Sequence, residues 1–244
     1  MLQCIRASSK YATIHSAAAV VGASNRTVGT IAGWFRGGTT DASSMLWSAG
    51  NSLTGGGWRA AYLASGNVSG AWGDESLLFG CHYDSSAGSL EMVWRNGHDF
   101  LRDGALHHVA AVVDGVANRL IVDGVARTTT FGVGGATTAK FLPSLTAGGG
   151  TPAGYIGALS DEASVAGICT GELADVRLYG RGLSDAEAKE LYIQRGGDRI
   201  RRGLLAHWPL IGSPAETAGG RNATLVNTPS FTAAPFRRPK WRTS

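Results

Sequence analysis

The segment His107 to Thr130, HHVAAVVDGVANRLIVDGVARTTT, constrains the fold more than any other part of the chain. Val109 to Val113 is an apolar run of strand length, Asp114 to Asn118 is a cluster of turn formers, and Arg119 to Val122 resumes the β-rich pattern. Asp123-Gly124 is the two-residue signal of a tight hairpin, whose central residues need positive φ. Three strands joined by two turns predict an antiparallel meander.

The rest of the chain repeats this texture. Val28 to Arg36 alternates, with Ile31, Gly33 and Phe35 facing one way and Ala32 and Trp34 the other. Met45–Ser48, Arg59–Leu63, Leu77–Cys81 and Leu90–Arg95 are further short runs, separated by Gly, Ser, Asn and Asp at a spacing that suits a sandwich. The 36 glycines fall between such runs as turn punctuation. Gly132 to Pro152 reads as a long surface loop around a weak strand near Lys140–Leu142. Gly171 to Tyr179 alternates again, Ala174, Val176 and Leu178 opposite Asp175, Arg177 and Tyr179.

One helix is predicted. Ser184 is its N-cap, Glu187 completes a Ser-x-x-Glu capping box, Ala188, Leu191 and Tyr192 form the apolar stripe, and Gly196-Gly197 ends it. The fold class is therefore all-β: an antiparallel β-sandwich of jelly-roll type with one short C-terminal helix. Residues 1–195 are assigned to the sandwich. Residues 196–244 are assigned to a strand that folds back on it, within Gly203–Phe231, plus a basic tail, because some 40 residues cannot bury a core of their own.

Several classes are set aside. No stretch approaches the roughly 18 consecutive apolar residues that span a bilayer, so membrane insertion is not expected. Met1 to Arg6 lacks the basic-then-apolar order of a secretory signal. Cys4, Cys81 and Cys169 are far apart without a CxxC pair and read as buried thiols rather than a disulfide framework or zinc site. No Gly-rich segment has the strand-glycines-helix order of a nucleotide site, so no nucleotide cofactor is implied; the basic tail could meet nucleic acid, but that partner is not expected.

Five segments, in order, are similar to the laminin G-like and pentraxin-like branch of the concanavalin A-like lectin and glucanase superfamily. They are Tyr11–Ile14, Thr30–Phe35, His108–Ala110 with Asp114-Gly115, Leu120–Gly124, and Gly171–Tyr179 followed by Arg181–Glu187. The likeness spans about residues 11 to 195. The chain departs from the pattern at Leu106-His107, where the family has Trp before the His-Val-Ala strand.

The resemblance implies a lectin-like binding surface and suggests calcium in loops. Aromatic residues among Gly and polar groups make Trp58, Tyr62, Trp72 and Tyr83 the sugar-stacking candidates, weighed against ordinary packing. Asp74, Asp84 and Asp161 are the calcium candidates, weighed against solvated loop charge. Hydrolases of the related fold set two acids about 5 Å apart on one strand face. Glu172 and Asp175, three positions apart, are expected to face opposite ways, and no catalytic residue is assigned. Asp175 is read as a structural anchor. His107 and His108, adjacent on a strand, cannot share a metal.

The net charge of +4 is concentrated near the C-terminus. Arg199, Arg201, Arg202, Arg237, Arg238, Lys240 and Trp241 are candidates for docking on an acidic protein surface. A lectin-like sandwich without an evident export signal fits a virion-surface module, such as a capsid decoration or fibre-associated protein, whose partners are other virion proteins or copies of itself. A free, extracellular carbohydrate-binding lectin is the alternative, and a glycoside hydrolase ranks last.

Overall fold

The computed structural model describes residues 1–4, 9–14, 25–38, 43–53, 57–66, 76–83, 89–95, 97–145, 152–161, 164–166, 168–218 and 222–232. The strands are β1 (Leu2–Cys4), β2 (Tyr11–Thr13), β3 (Gly29–Gly37), β4 (Ser43–Leu53), β5 (Gly57–Gly66), β6 (Leu77–His82), β7 (Leu90–Trp94), β8 (His107–Val113), β9 (Arg119–Val122), β10 (Val125–Arg127), β11 (Thr130–Val133), β12 (Ala153–Ile156), β13 (Leu159–Asp161), β14 (Ser164–Ala166), β15 (Gly171–Tyr179), β16 (Leu204–Trp208) and β17 (Thr224–Val226). Among the described residues there are two helices, α1 (Gly97–Leu101) and α2 (Asp185–Gln194).

A seven-stranded sheet runs β1-β15-β3-β8-β9-β10, with β16 pairing β15 on the edge it shares with β1. An eight-stranded sheet runs β11-β7-β6-β5-β4-β12-β2-β17. All pairs in both sheets are antiparallel. The main core lies between them, Ile31, Phe35, Val109, Leu173 and Val176 from one sheet meeting Trp47, Leu63, Phe79 and Met92 from the other. Burial of these alternating side chains is the driving force that holds the layers together.

The meander follows from local chemistry. Asp123 (φ 52°) and Gly124 (φ 73°) take the left-handed conformations of the β9–β10 turn. In the β8–β9 turn, Asp114 Oδ1 accepts from the amides of Val116 (2.9 Å) and Ala117 (2.7 Å), while Asn118 Oδ1 accepts from those of Asp114 and Gly115. These side chains replace the ladder bonds that a turn loses.

Each sheet also has a covered outer face. Ala32, Ala110, Val112, Ile121 and Tyr179 pack under Leu183, Ala188, Leu191 and Ile200, so α2 lies against the seven-stranded sheet. The helix begins with the expected capping box, Ser184 and Glu187 bonding each other's backbone, and closes with Arg195 in the left-handed region. On the eight-stranded sheet, Met45, Tyr62, Ala64, Leu78 and Val93 meet Leu159 of β13.

The C-terminal segment contributes to both layers. β16 pairs β15, β17 pairs β2, and Phe231 bridges Leu2. Trp208 is fully buried in the main core.

The structure differs from the sequence reading at several places. β1, the short strands β11, β12, β13 and β14 and the single turn α1 were not expected, since three to five residues carry too little periodicity to register. The weak strand at Lys140–Leu142 is only an isolated Arg26–Leu142 bridge, and its neighbours Phe141, Leu142 and Leu145 are core rather than surface loop. Finally, β15 carries a bulge: Asp175 has φ 52° and the register against β3 shifts between Ala174 and Arg177. Ala174 therefore packs outward with Trp34 while Val176 enters the core, instead of sharing a face.

Candidate functional site

The outer face of the eight-stranded sheet carries a polar cluster in an apolar setting. Tyr62 on β5 lies opposite Gly80 on β6, which lies opposite Glu91 on β7, and His82 follows on the same face of β6. A Cβ on Gly80 would collide with the Tyr62 ring, so the glycine gives the ring its bed. The ring stacks on His82 at 5.6 Å and an interplanar angle of 9°. Tyr62 Oη lies 3.1 Å from His82 Nε2, and Glu91 Oε1 lies 3.6 Å from the same nitrogen.

Burial sets the protonation of this cluster. It pushes the Tyr62 phenol well above its ordinary range, helped by the Glu91 carboxylate, and pushes His82 down although Glu91 pulls it up. At neutral pH the phenol keeps its proton and the imidazole is uncharged. In the tautomer protonated on Nδ1, His82 accepts from the Tyr62 hydroxyl. The arrangement places a carboxylate that accepts hydrogen bonds beside an oriented imidazole, a pairing suited to holding hydroxyl groups.

The sugar-stacking candidates do not form one platform. Tyr62 is only 3% exposed, so no sugar ring can lie on it; it supports His82 instead. The aromatic pattern that singled it out cannot distinguish an open face from one covered by β13. Half-buried Tyr83 packs against the core, donates to the Leu142 carbonyl at 3.0 Å and has the Lys140 ammonium 5.1 Å from its ring. Trp72 and the side chain of Trp58 lie outside the described residues, as do Asp74, Asp84 and the side chain of Asp161. Among the described residues no group of three or more His, Cys, Asp or Glu is placed to hold a metal ion. Arg199, Arg201 and Arg202 are exposed; Arg237, Arg238, Lys240 and Trp241 lie outside the described residues. His82 and Glu91 were missed because their partnership crosses two strands.

A second polar cluster is buried on the outer face of the seven-stranded sheet. Arg177 pairs with Asp175 at 2.9 Å and with Asp198 at 2.7 Å, and His207 Nε2 lies 2.6 Å from Asp175 Oδ1. Burial works to raise the Asp175 carboxyl, but the Arg177 guanidinium and His207 outweigh it and hold the group below its ordinary value. The bulge also corrects the expected geometry of the two acids on β15. Leu173 points into the core, so Glu172 faces outward, where it pairs with Arg36 at 2.9 Å, and the bulge turns Asp175 to the same side. Both carboxylates are engaged with cations.

Two facing antiparallel sheets define a lectin-like β-sandwich. The chain belongs to the concanavalin A-like lectin/glucanases superfamily, whose laminin G model matches residues 6–189. Solved structures share the fold at low identity. A candidate carbohydrate binding protein from Bacteroides ovatus is 15% identical with a TM-score of 0.64; the match covers 97% of this chain and 61% of that one, so this chain spans less than two thirds of its length. The CBM40 of the Ruminococcus gnavus IT-sialidase, solved also with α2,3 sialyllactose, is 20% identical in its first form with a TM-score of 0.57, over 75% of this chain and 93% of that one. Sialidase NanB from Streptococcus pneumoniae is 14% identical with a TM-score of 0.53, over 72% of this chain and 26% of that one. No curated protein sequence matches the chain significantly.

Proposed function

We propose that this protein is a non-catalytic glycan-binding module whose binding face is the outer side of the eight-stranded sheet around His82 and Glu91. The observation that carries the reading is the Tyr62–His82–Glu91 cluster, polar groups held in fixed geometry where the fold itself asks only for apolar cover. The likeness in fold supports it: the sandwich is matched by nearly the whole of a CBM40 module. The edge of the Glu91 carboxylate that stays accessible, 10% of the side chain, accepts from sugar hydroxyls beside the more exposed His82, and Tyr62 fixes the imidazole.

A glycan array run with and without calcium tests the reading. Retention of a glycan by the native chain, weakened about tenfold by Glu91→Gln, is expected from the loss of one charge-assisted hydrogen bond. Retention unchanged in Glu91→Gln would remove the site assignment, and no retained glycan would remove the function. Calcium dependence would make Asp74, Asp84 and Asp161 the ligands to test next. Display on a virion would present the same sandwich outward, with Arg199, Arg201 and Arg202 toward the particle, and cosedimentation with particles is its test.

A further inference from the structure

A cleft of about 350 Å³ is lined by Arg201, Leu204, His207, Thr217 and Ala218. All five lie beyond residue 189, where the family match ends. The volume is in the range of small-ligand sites. Its wall is preformed. The Thr217 amide donates to the His207 carbonyl at 2.9 Å, and the Glu216 carboxylate accepts from the amides of His207 (2.8 Å) and Ala218. The 216–218 loop is thus tied to β16 at two points and braced once within itself, which lowers the ordering cost of binding.

The hydrogen-bonding capacity of the lining can be read off group by group. His207 is committed on both nitrogens, Nε2 to Asp175 at 2.6 Å and Nδ1 to Thr217 Oγ1 at 2.8 Å. An ionised Asp175 only accepts, so the His207 Nε2–H donates to it, and Nδ1 is turned toward the Thr217 hydroxyl. The Thr217 oxygen has two acceptor sites, of which His207 Nδ1 can use at most one, so one is left for a ligand hydroxyl. Arg201 is 57% exposed, and its carboxylate neighbour, Asp198, stands 3.9 Å away, already engaged by Arg177 at 2.7 Å. Leu204 and Ala218 add an apolar surface. The acids nearby are occupied: Asp175 and Asp198 by Arg177, Glu216 by backbone amides.

We propose that this cleft binds a saccharide residue bearing a carboxylate. Arg201 pairs with the carboxylate through its planar fork, Thr217 accepts from a ring hydroxyl, and the apolar ring face rests on Leu204 and Ala218. The class of ligand rests on the glycan reading; the site is separate from the His82–Glu91 face.

Titration of the full chain with glucuronate, glucose and glucose 6-phosphate, followed by amide chemical shifts and calorimetry, tests the proposal. Shifts at Thr217 and Ala218, with glucuronate binding at least tenfold tighter than glucose, are expected. Arg201→Gln should abolish that preference, Thr217→Val should weaken glucuronate binding, and Thr217→Ser should restore it. Lys189→Gln, on the exposed side of α2, is the control for charge alone. Glucuronate that binds no better than glucose, an Arg201→Gln chain with native preference, or tighter binding of the phosphate would each overturn it. Shifts near residues 82–91 report the sheet face, so failure at one site is distinguishable from failure at the other.

Discussion

His108 makes the sandwich sensitive to acid. It lies on the outer face of the seven-stranded sheet, 1% exposed, its ring 5.3 Å from that of Trp34 at an angle of 64°, and its Nδ1 has no hydrogen-bond partner. Burial pushes its pKa from 6.5 down to about 4; Arg177 acts in the same direction, while Asp175, Asp123 and Asp198 oppose it. A folded value below the unfolded one means that the unfolded chain takes a proton first as pH falls. Stability is therefore lost between pH 6.5 and about 4 and levels off below. Protonation of the native state is harder than that of the unfolded chain by about 3 kcal/mol, a large share of a typical domain's stability. The adjacent His107 has the opposite sign. Against burial, the Asp123 and Asp103 carboxylates raise its pKa, so its contribution is complete below 6.5 and declines as pH rises through its folded value. Substitution separates the two. In urea titrations at pH 4 to 7, His108→Leu should gain about 3 kcal/mol relative to the native chain between the upper and lower ends of that range, whatever its cost at neutrality. Parallel pH profiles, or a His108 proton resonance titrating near 6.5, would refute the reasoning.

Two further substitutions test the fold. Arg177→Leu leaves Asp175 and Asp198 buried without their shared cation and should cost about 3–5 kcal/mol in denaturant unfolding; a loss below about 1 kcal/mol would mean that the cluster is not ionised as described. Trp208→Ala opens a large cavity in the main core and should also cost about 3–5 kcal/mol, with one cooperative transition throughout. A separate early transition in the native chain would show instead that β16 and β17 unfold independently of the sandwich.

The elements that were legible in advance are those whose determinants lie close together in the chain. Asp123-Gly124 makes its turn by the φ values its own residues tolerate, and Ser184 with Glu187 caps α2 within four positions. Alternation in β3 correctly divided Ile31 and Phe35 from Trp34. The same rule failed in β15, because a single left-handed residue at Asp175 resets the alternation and nothing in its identity announces that. The candidate site was less accessible still. Alternation says which side chains share a face; it does not say that β13 covers Tyr62, or that His82 and Glu91 meet there across neighbouring strands.

By itself, then, the sequence determined short strands, their turns, the helix cap and hence a two-layer β-sandwich, since those depend on φ preferences, capping bonds and a two-residue period acting over a few positions. Only the tertiary structure decided which faces are covered, where the C-terminal strands join each sheet, and how Asp175, Arg177, Asp198 and His207 come to share one buried network. Those outcomes depend on desolvation and charge pairing between residues distant along the chain, which no local pattern encodes.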